Sequence, residues 1–149
     1  MKLEEEIKQK KFKSDFQKLA VNLIYSHGWL MNYQKKFFDQ YGITGTQYNI
    51  LRILRGQHPN PVSVNTLRER MLDKMSDTSR LVERLRIKKL LIRNTCKKDR
   101  RKSDINITEY GLQVLNDLDQ IDNEFEKTFS TLTINEIQIL NELLDKMRG

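Results

Sequence analysis

The side chains best placed to do chemistry in this 149-residue chain are cations, and they cluster. Arg80 and Arg84 are four residues apart, so a helix here presents two guanidinium forks one turn apart on one face. Such forks suit guanine O6 and N7 in paired hydrogen bonds, or phosphate oxygens. Further on, Lys97, Lys98, Arg100, Arg101 and Lys102 crowd a stretch broken only by Asp99, a composition suited to phosphate contacts. Each phosphate so neutralised steepens the log–log salt dependence of binding by about 0.9. Ser76 and Ser79 sit where a helix N-terminus attracts phosphate, and Ser76 is expected to cap that helix. Asp77 is better suited to stabilising the helix dipole, though it could accept from cytosine N4.

Catalytic chemistry is poorly supplied. The chain has two His and one Cys, with no Gly-rich phosphate loop and no metal-ligand spacing. The reading is therefore no enzyme, no catalytic residue, no cofactor and no metal. A single cysteine cannot form an internal disulfide, which agrees with a reducing cytoplasm. That cysteine, Cys96, falls in a strand, where an inert thiol is expected.

The elements that must position these cations can be read from the periodicity. Thr78, Leu81, Val82 and Leu85 recur at helical spacing opposite Arg80 and Arg84. After Lys89 the period becomes strand-like through Leu90–Cys96, then again from Asp104 to Ile107, with the basic tip between. Upstream, Ser63 caps a short helix with Val64, Leu67 and Met71 inward, and residues 72–75 make a tight turn into the Arg80 helix. Two helices so joined form a helix-turn-helix pattern. A helix can then lie in the DNA major groove while the hairpin tip follows phosphates or the minor groove.

Outside this middle lie longer helices. Residues 1–11 are mostly charged and read as a frayed helical extension or a disordered arm. From Phe12 a helix carries Phe16, Leu19, Leu23, Leu30 and Phe37, with a bend expected at Gly28, and stops near Tyr41–Gly42. Thr44 and Gln47 form a capping box stapled by Ile43 and Tyr48. That helix closes at Gly56 and a Pro-containing linker. Thr108 caps one long helix with Leu112, Leu115, Leu118, Phe125 and Phe129 inward. A second capping box, Thr133 with Glu136, starts a last helix carrying Ile137, Leu140, Leu144 and Met147.

Charge supports the assignment. The net charge is +7, yet residues 61–103 hold fourteen Lys/Arg against five Asp/Glu, while residues 104–149 hold three against ten. The positive excess peaks over the proposed reading helix and hairpin, which points to nucleic acid. No stretch approaches 18 apolar residues and the start lacks a signal-peptide core, so no membrane partner and a cytoplasmic location are expected.

The order of helix, short hairpin, Asp99-Arg100-Arg101 in a D-x-R pattern, then Ile107-Thr108-Glu109-Tyr110-Gly111 resembles the winged helix of the MarR (multiple antibiotic resistance regulator) transcription factors. The likeness runs from about Tyr25 to the C-terminus. It implies a mainly α fold with a small β-hairpin wing, a single domain over 1–149. Residues 43–108 would form the winged helix-turn-helix lobe, and 1–42 with 109–149 the dimerisation helices. It also implies that Arg101 enters the minor groove, with Asp99 orienting Arg101 or Arg84 by an ion pair. The family usually has Gly where this chain has Lys89. A non-glycine left-handed cap costs roughly 1 kcal/mol, so the helix is expected to end differently and shift the wing.

Three long helices with apolar stripes exceed what one winged helix can cover, so a second copy is expected. Twofold symmetry would place the two reading helices roughly 34 Å apart on a pseudo-palindromic operator. The implied activity is that of a homodimeric DNA-binding repressor of double-stranded DNA. The resemblance adds a small, often anionic aromatic effector, for which His27, Trp29, Tyr33 and Tyr48 could line a pocket. The competing reading is an architectural or RNA-binding winged helix without sequence preference.

Overall fold

The computed structural model describes residues 1–99 and 103–149. Its elements are α1 Leu3–Glu6, α2 Asp15–Phe38, α3 Gly45–Gln57, α4 Val64–Arg70, α5 Thr78–Ile87, β1 Leu91–Thr95, β2 Ser103–Ile107, α6 Glu109–Leu118, α7 Gln120–Thr128 and α8 Ile134–Arg148. No helix among the described residues is long and apolar enough to cross a membrane.

Side-chain caps set most helix starts. Ser14, Thr44, Ser63, Thr108 and Thr133 each accept a backbone N–H from the first turn of the helix that follows, and Gln47 and Glu136 close the two expected capping boxes. Because Ser14 is the cap, α2 begins at Asp15 rather than at Phe12. It runs unbroken through Gly28 and ends in a short 3-10 turn, Asp39–Tyr41, closed by Gly42 in the left-handed region.

One apolar core joins α3, α4, α5, the hairpin, α6 and the start of α7. Ile50, Leu51, Leu67, Val82, Leu85, Ile105 and Leu115 are sealed within it. β1 and β2 are antiparallel, with Leu91 opposite Ile107 and Arg93 opposite Ile105. Val62, just before α4, exchanges both backbone hydrogen bonds with Ile105, at 2.9 and 3.0 Å. That bridge fixes the hairpin against the helix-turn-helix.

Four local expectations need correction. The N-terminal arm is neither frayed nor disordered: it has the helical character that was one of its two readings, as the short α1, but is folded back on α2 by a Lys18–Glu4 ion pair at 2.5 Å and a Tyr25 hydroxyl donating to Glu6 at 2.7 Å, with Leu3 buried. Ser76 does not cap α5; Asp77 does, its carboxylate accepting the Arg80 N–H at 3.1 Å. The single long helix after Thr108 is two, broken at Asp119. There the backbone N–H closes on the Asn116 carbonyl in a tight turn, and the carboxylate takes two hydrogen bonds from Arg55 of α3, at 2.8 and 2.9 Å. Neither Gly nor Pro marks the break, so the periodicity reads straight across it.

The fourth correction concerns the end of α5. Lys89 adopts φ 61°, the left-handed conformation, and the helix closes as it would with glycine. The Leu90 N–H reaches the Leu85 carbonyl at 3.0 Å and the Lys89 N–H reaches Arg86 at 2.9 Å, the two bonds of a Schellman motif. Leu90 and Leu85, both buried, supply the apolar contact that accompanies it. The helix therefore ends in a glycine-type close, with the strain carried by Lys89.

Replacing Lys89 with Gly should raise unfolding stability by about 0.5–1 kcal/mol, part of the relief being offset by greater freedom of the unfolded chain. Equilibrium urea unfolding at fixed protein concentration measures this; a loss of stability would show that the lysine is unstrained. Gly111→Ala should destabilise by about 1–3 kcal/mol, because the added methyl falls inside contact distance of the Leu90 carbonyl oxygen and the Ile107 side chain. The same unfolding experiment reads it.

Candidate nucleic-acid interface

α5 is held by one face and free on the other. Thr78, Val82 and Leu85 are buried, as their spacing predicted, while Ser79, Arg80 and Arg84 are exposed. The Thr78 hydroxyl is buried without a hydrogen-bond partner among the described residues. The cations of α5 divide into two groups. Arg86 is taken by Glu83 in two hydrogen bonds, at 2.7 and 2.9 Å, and the Lys88 ammonium donates to the Gly42 carbonyl. Arg80 and Arg84 have no side-chain partner among the described residues, so their guanidinium forks are available to an external acceptor.

The approach to α5 is braced by a residue the sequence reading passed over. Asp73 accepts the Met75 N–H at 2.9 Å and the Ser76 hydroxyl at 2.8 Å. Those two bonds, Ser76 first, hold its carboxyl below the usual range, with a smaller pull from His27. Ser76 is thus a structural brace, half-buried, and Ser79 is the hydroxyl left facing out. Thr46, Asp73, Ser76, Asp77, Arg80 and Arg84 together line a groove of about 220 Å³ beside the start of α5. Asp73 has the D-x-x-S spacing of a turn acid, a signal available in the sequence but weak alone.

In the wing, Lys97 and Lys98 are exposed and Asp99 is half-buried, at the end of the described part of the tip. Arg100, Arg101 and Lys102 lie outside the described residues. Arg93, on β1, donates to the Ser103 hydroxyl at 3.0 Å and ties the two strands near the tip. Cys96 is a free, half-buried thiol where β1 ends.

The four residues read as a pocket do not share one environment. Trp29 stacks with Tyr33, ring centroids 6.4 Å apart, and meets Phe129 edge-on at 6.3 Å. The Tyr33 hydroxyl donates to Glu124 of α7 at 3.1 Å, and Lys36 sits 4.0 Å from the Tyr33 ring centroid. These contacts fasten α7 to α2. Tyr48 is instead buried against Phe38, centroids 4.8 Å apart, in the core of the lobe. His27 is exposed on α2, on the side facing Asp73.

Comparison with known proteins agrees with this geometry. The model of the MarR family matches residues 41–102, which span α3 through the wing tip. A curated relative, the HTH-type transcriptional regulator MhqR of Bacillus subtilis, is 25% identical over 131 residues, covering 87% of this chain and 89% of its own length. The fold is similar to that of Staphylococcus aureus MepR in a DNA complex, with TM-score 0.76, 23% identity and coverage of 92% and 97%. It is also similar to Bordetella bronchiseptica BpsR, whose DNA binding is regulated by 6-hydroxynicotinic acid, with TM-score 0.75, 22% identity and coverage of 87% and 92%. With the helix-turn-helix, the wing and the flanking helices found in the same order, the chain is similar in fold to MarR-like regulators, and its residues 41–102 match the MarR family model.

Proposed function

We propose that the protein is a homodimeric repressor that reads a pseudo-palindromic DNA operator through α5 and the wing and is released by a small-molecule effector. The observation that carries this reading is the state of α5. Its inner face is locked into the core by Val82 and Leu85, each fully buried, while Arg80 and Arg84 stand on the outer face one turn apart, without a side-chain partner among the described residues. Rigid placement with free guanidinium forks is what base-edge recognition in a major groove requires. In this reading Ser79, Lys97, Lys98, Arg100 and Lys102 hold phosphates, Asp99 orients the wing, and Arg101 enters the minor groove. A narrow A·T segment there concentrates negative potential.

The dimer is supported by surface that one copy leaves uncovered. No residue of α8 is buried, and its Ile134, Leu140, Leu143 and Met147 are all at least 47% exposed. On α2, Phe16 and Ile24 are 86% and 74% exposed. Two helices with apolar side chains in water are interface halves awaiting a complement, and a twofold axis supplies it from the same sequence. Residues 1–42 and 109–149 then make the pairing region and 43–108 the reading lobe. MepR in its DNA complex and BpsR with its acidic aromatic regulator support the DNA partner and a small-molecule effector, respectively.

Operator fragments selected from the source genome supply the substrate for the test. Arg80→Ala should weaken operator binding by about 1–3 kcal/mol and reduce discrimination against random DNA. Equal loss on both DNAs, read by fluorescence anisotropy at fixed salt, would mark a non-selective binder instead. Arg101→Ala should lower operator affinity by on the order of 1–3 kcal/mol with the dimer intact by sedimentation. Unchanged affinity would remove the wing assignment. Deleting the residues after Thr133 should give an insoluble or monomeric product without DNA binding; a soluble truncated dimer would refute the pairing region.

A further inference from the structure

The turn between α4 and α5 carries two apolar side chains in water. Leu72 is 86% exposed and Met75 93%, while the residue before them, Met71, is buried in the core. Single apolar residues at a surface are ordinary, but the backbone of this turn is fixed along its length. The Leu72 N–H donates to the Asn49 side chain of α3 at 2.9 Å, and the Met75 N–H donates to Asp73 at 2.9 Å. The Lys74 ammonium closes on the Glu69 carbonyl, near the end of α4, at 2.5 Å. Three hydrogen bonds therefore hold in place a turn that presents Met75 to solvent.

Its place in the chain narrows what it can meet. Met75 lies two residues before the Asp77 cap and five before Arg80. When a helix-turn-helix docks, this end of the second helix is the one that reaches base edges. Ser79 and Arg80 have polar groups for phosphates and base edges; a thioether has nothing to offer a phosphate. In the major groove every base pair presents hydrogen-bonding groups, and thymine alone adds an apolar one, its C5-methyl. An unbranched side chain with three rotatable bonds adapts readily to so small a target. Ile87, the exposed apolar residue of α5 itself, is at the far end, about 14 Å along the axis from the first helical residue. It shares a groove there with the buried Ile43. Leu72 and Met75 alone fall far short of the roughly 800 Å² per partner that a stable protein interface covers.

We propose that Met75 is a specificity-determining residue that reads the C5-methyl of a thymine in each half of the operator, beside the base pair taken by Arg80. The inference rests on the functional reading above and names one base that reading leaves open. Arg80 supplies the polar part of the recognition and Met75 the apolar part. Cytosine at the same position lacks the methyl and turns an N4 donor toward a side chain that accepts only weakly. Because Asp73 and Asn49 already hold the turn, binding orders the Met75 side chain without ordering any backbone.

The test uses the full-length protein and an operator fragment selected from the source genome. Thymines are replaced one at a time by deoxyuridine, which lacks only the C5-methyl, and affinity is read by fluorescence anisotropy at fixed salt. At one thymine in each half-site the replacement should weaken binding about three- to fivefold, the worth of one buried methyl group. Met75→Ala should bind the thymine operator weaker by about the same factor and be indifferent to deoxyuridine at that position. Met75→Leu, which keeps an apolar side chain, should recover part of both the affinity and the sensitivity. Ile87→Ala should keep the full deoxyuridine effect. A Met75→Ala protein as sensitive to the methyl as the parent, or a sensitivity abolished by Ile87→Ala instead, would overturn the assignment. Selective operator binding with no deoxyuridine effect anywhere sinks the inference and leaves the functional reading standing. Equal affinity for operator and random DNA removes both.

Discussion

The Leu90 carbonyl accepts the Thr108 N–H at 3.2 Å, and Gly111 of α6 passes so close to the same oxygen that no side chain fits between them. One residue earlier, the Lys89 carbonyl accepts the Thr108 hydroxyl at 2.7 Å, while that hydroxyl also caps Gly111 at 3.0 Å. A single turn therefore joins the end of the reading helix, the root of the wing and the start of the helix leading to the C-terminal elements. The T-x-x-G pattern is the chemical signature of that junction: a hydroxyl that donates one way and accepts the other, and a residue without Cβ at the closest approach. Both the direction of the wing and the course of α6 depend on it.

From that junction the rest follows in two directions. Towards DNA, the Schellman close at Lys89 and the Val62–Ile105 bridge hold the hairpin in fixed relation to α5. Basic side chains on two separate elements can then act as one surface, because no freedom is lost in bringing them together at binding. Towards the C-terminus, α6 runs along α3 to Asp119, where the bidentate pair with Arg55 fixes the turn into α7. The hydrogen bonds from Arg55 to the Asp119 carboxylate raise the Arg55 pKa, the direction expected for a cation held by an anion. α7 is then fastened to α2 by the aromatic contacts of Trp29, Tyr33 and Phe129.

Charge and burial also divide the labour among the cations more finely than composition suggests. α5 carries Arg80, Arg84 and Arg86 followed by Lys88, alike in a count of basic residues. Glu83 neutralises Arg86 and the Gly42 carbonyl occupies Lys88, so the helix offers an external partner two guanidinium groups rather than four cations. The acid that caps the helix, Asp77, serves the backbone and leaves the Ser79 hydroxyl exposed on the outer face.

Local rules were enough for the order of elements from α2 to α6, four of the caps, the core stripe of α5 and the hairpin, since each depends on spacing within one turn or one strand pair. The T-x-x-G pattern was legible for the same reason, being a short stretch under strong backbone constraint. The sequence could not place Asp119 as a break, because its partner Arg55 is 64 residues away and no breaker residue marks the turn. Nor could it separate Tyr48 from Trp29 and Tyr33, since three aromatics on helical stripes look alike until packing assigns one to the lobe and two to α7. The left-handed Lys89 is the sharpest case. Propensity argues against it, and only the Thr108 and Gly111 contacts on the neighbouring carbonyls show why the fold tolerates the strain.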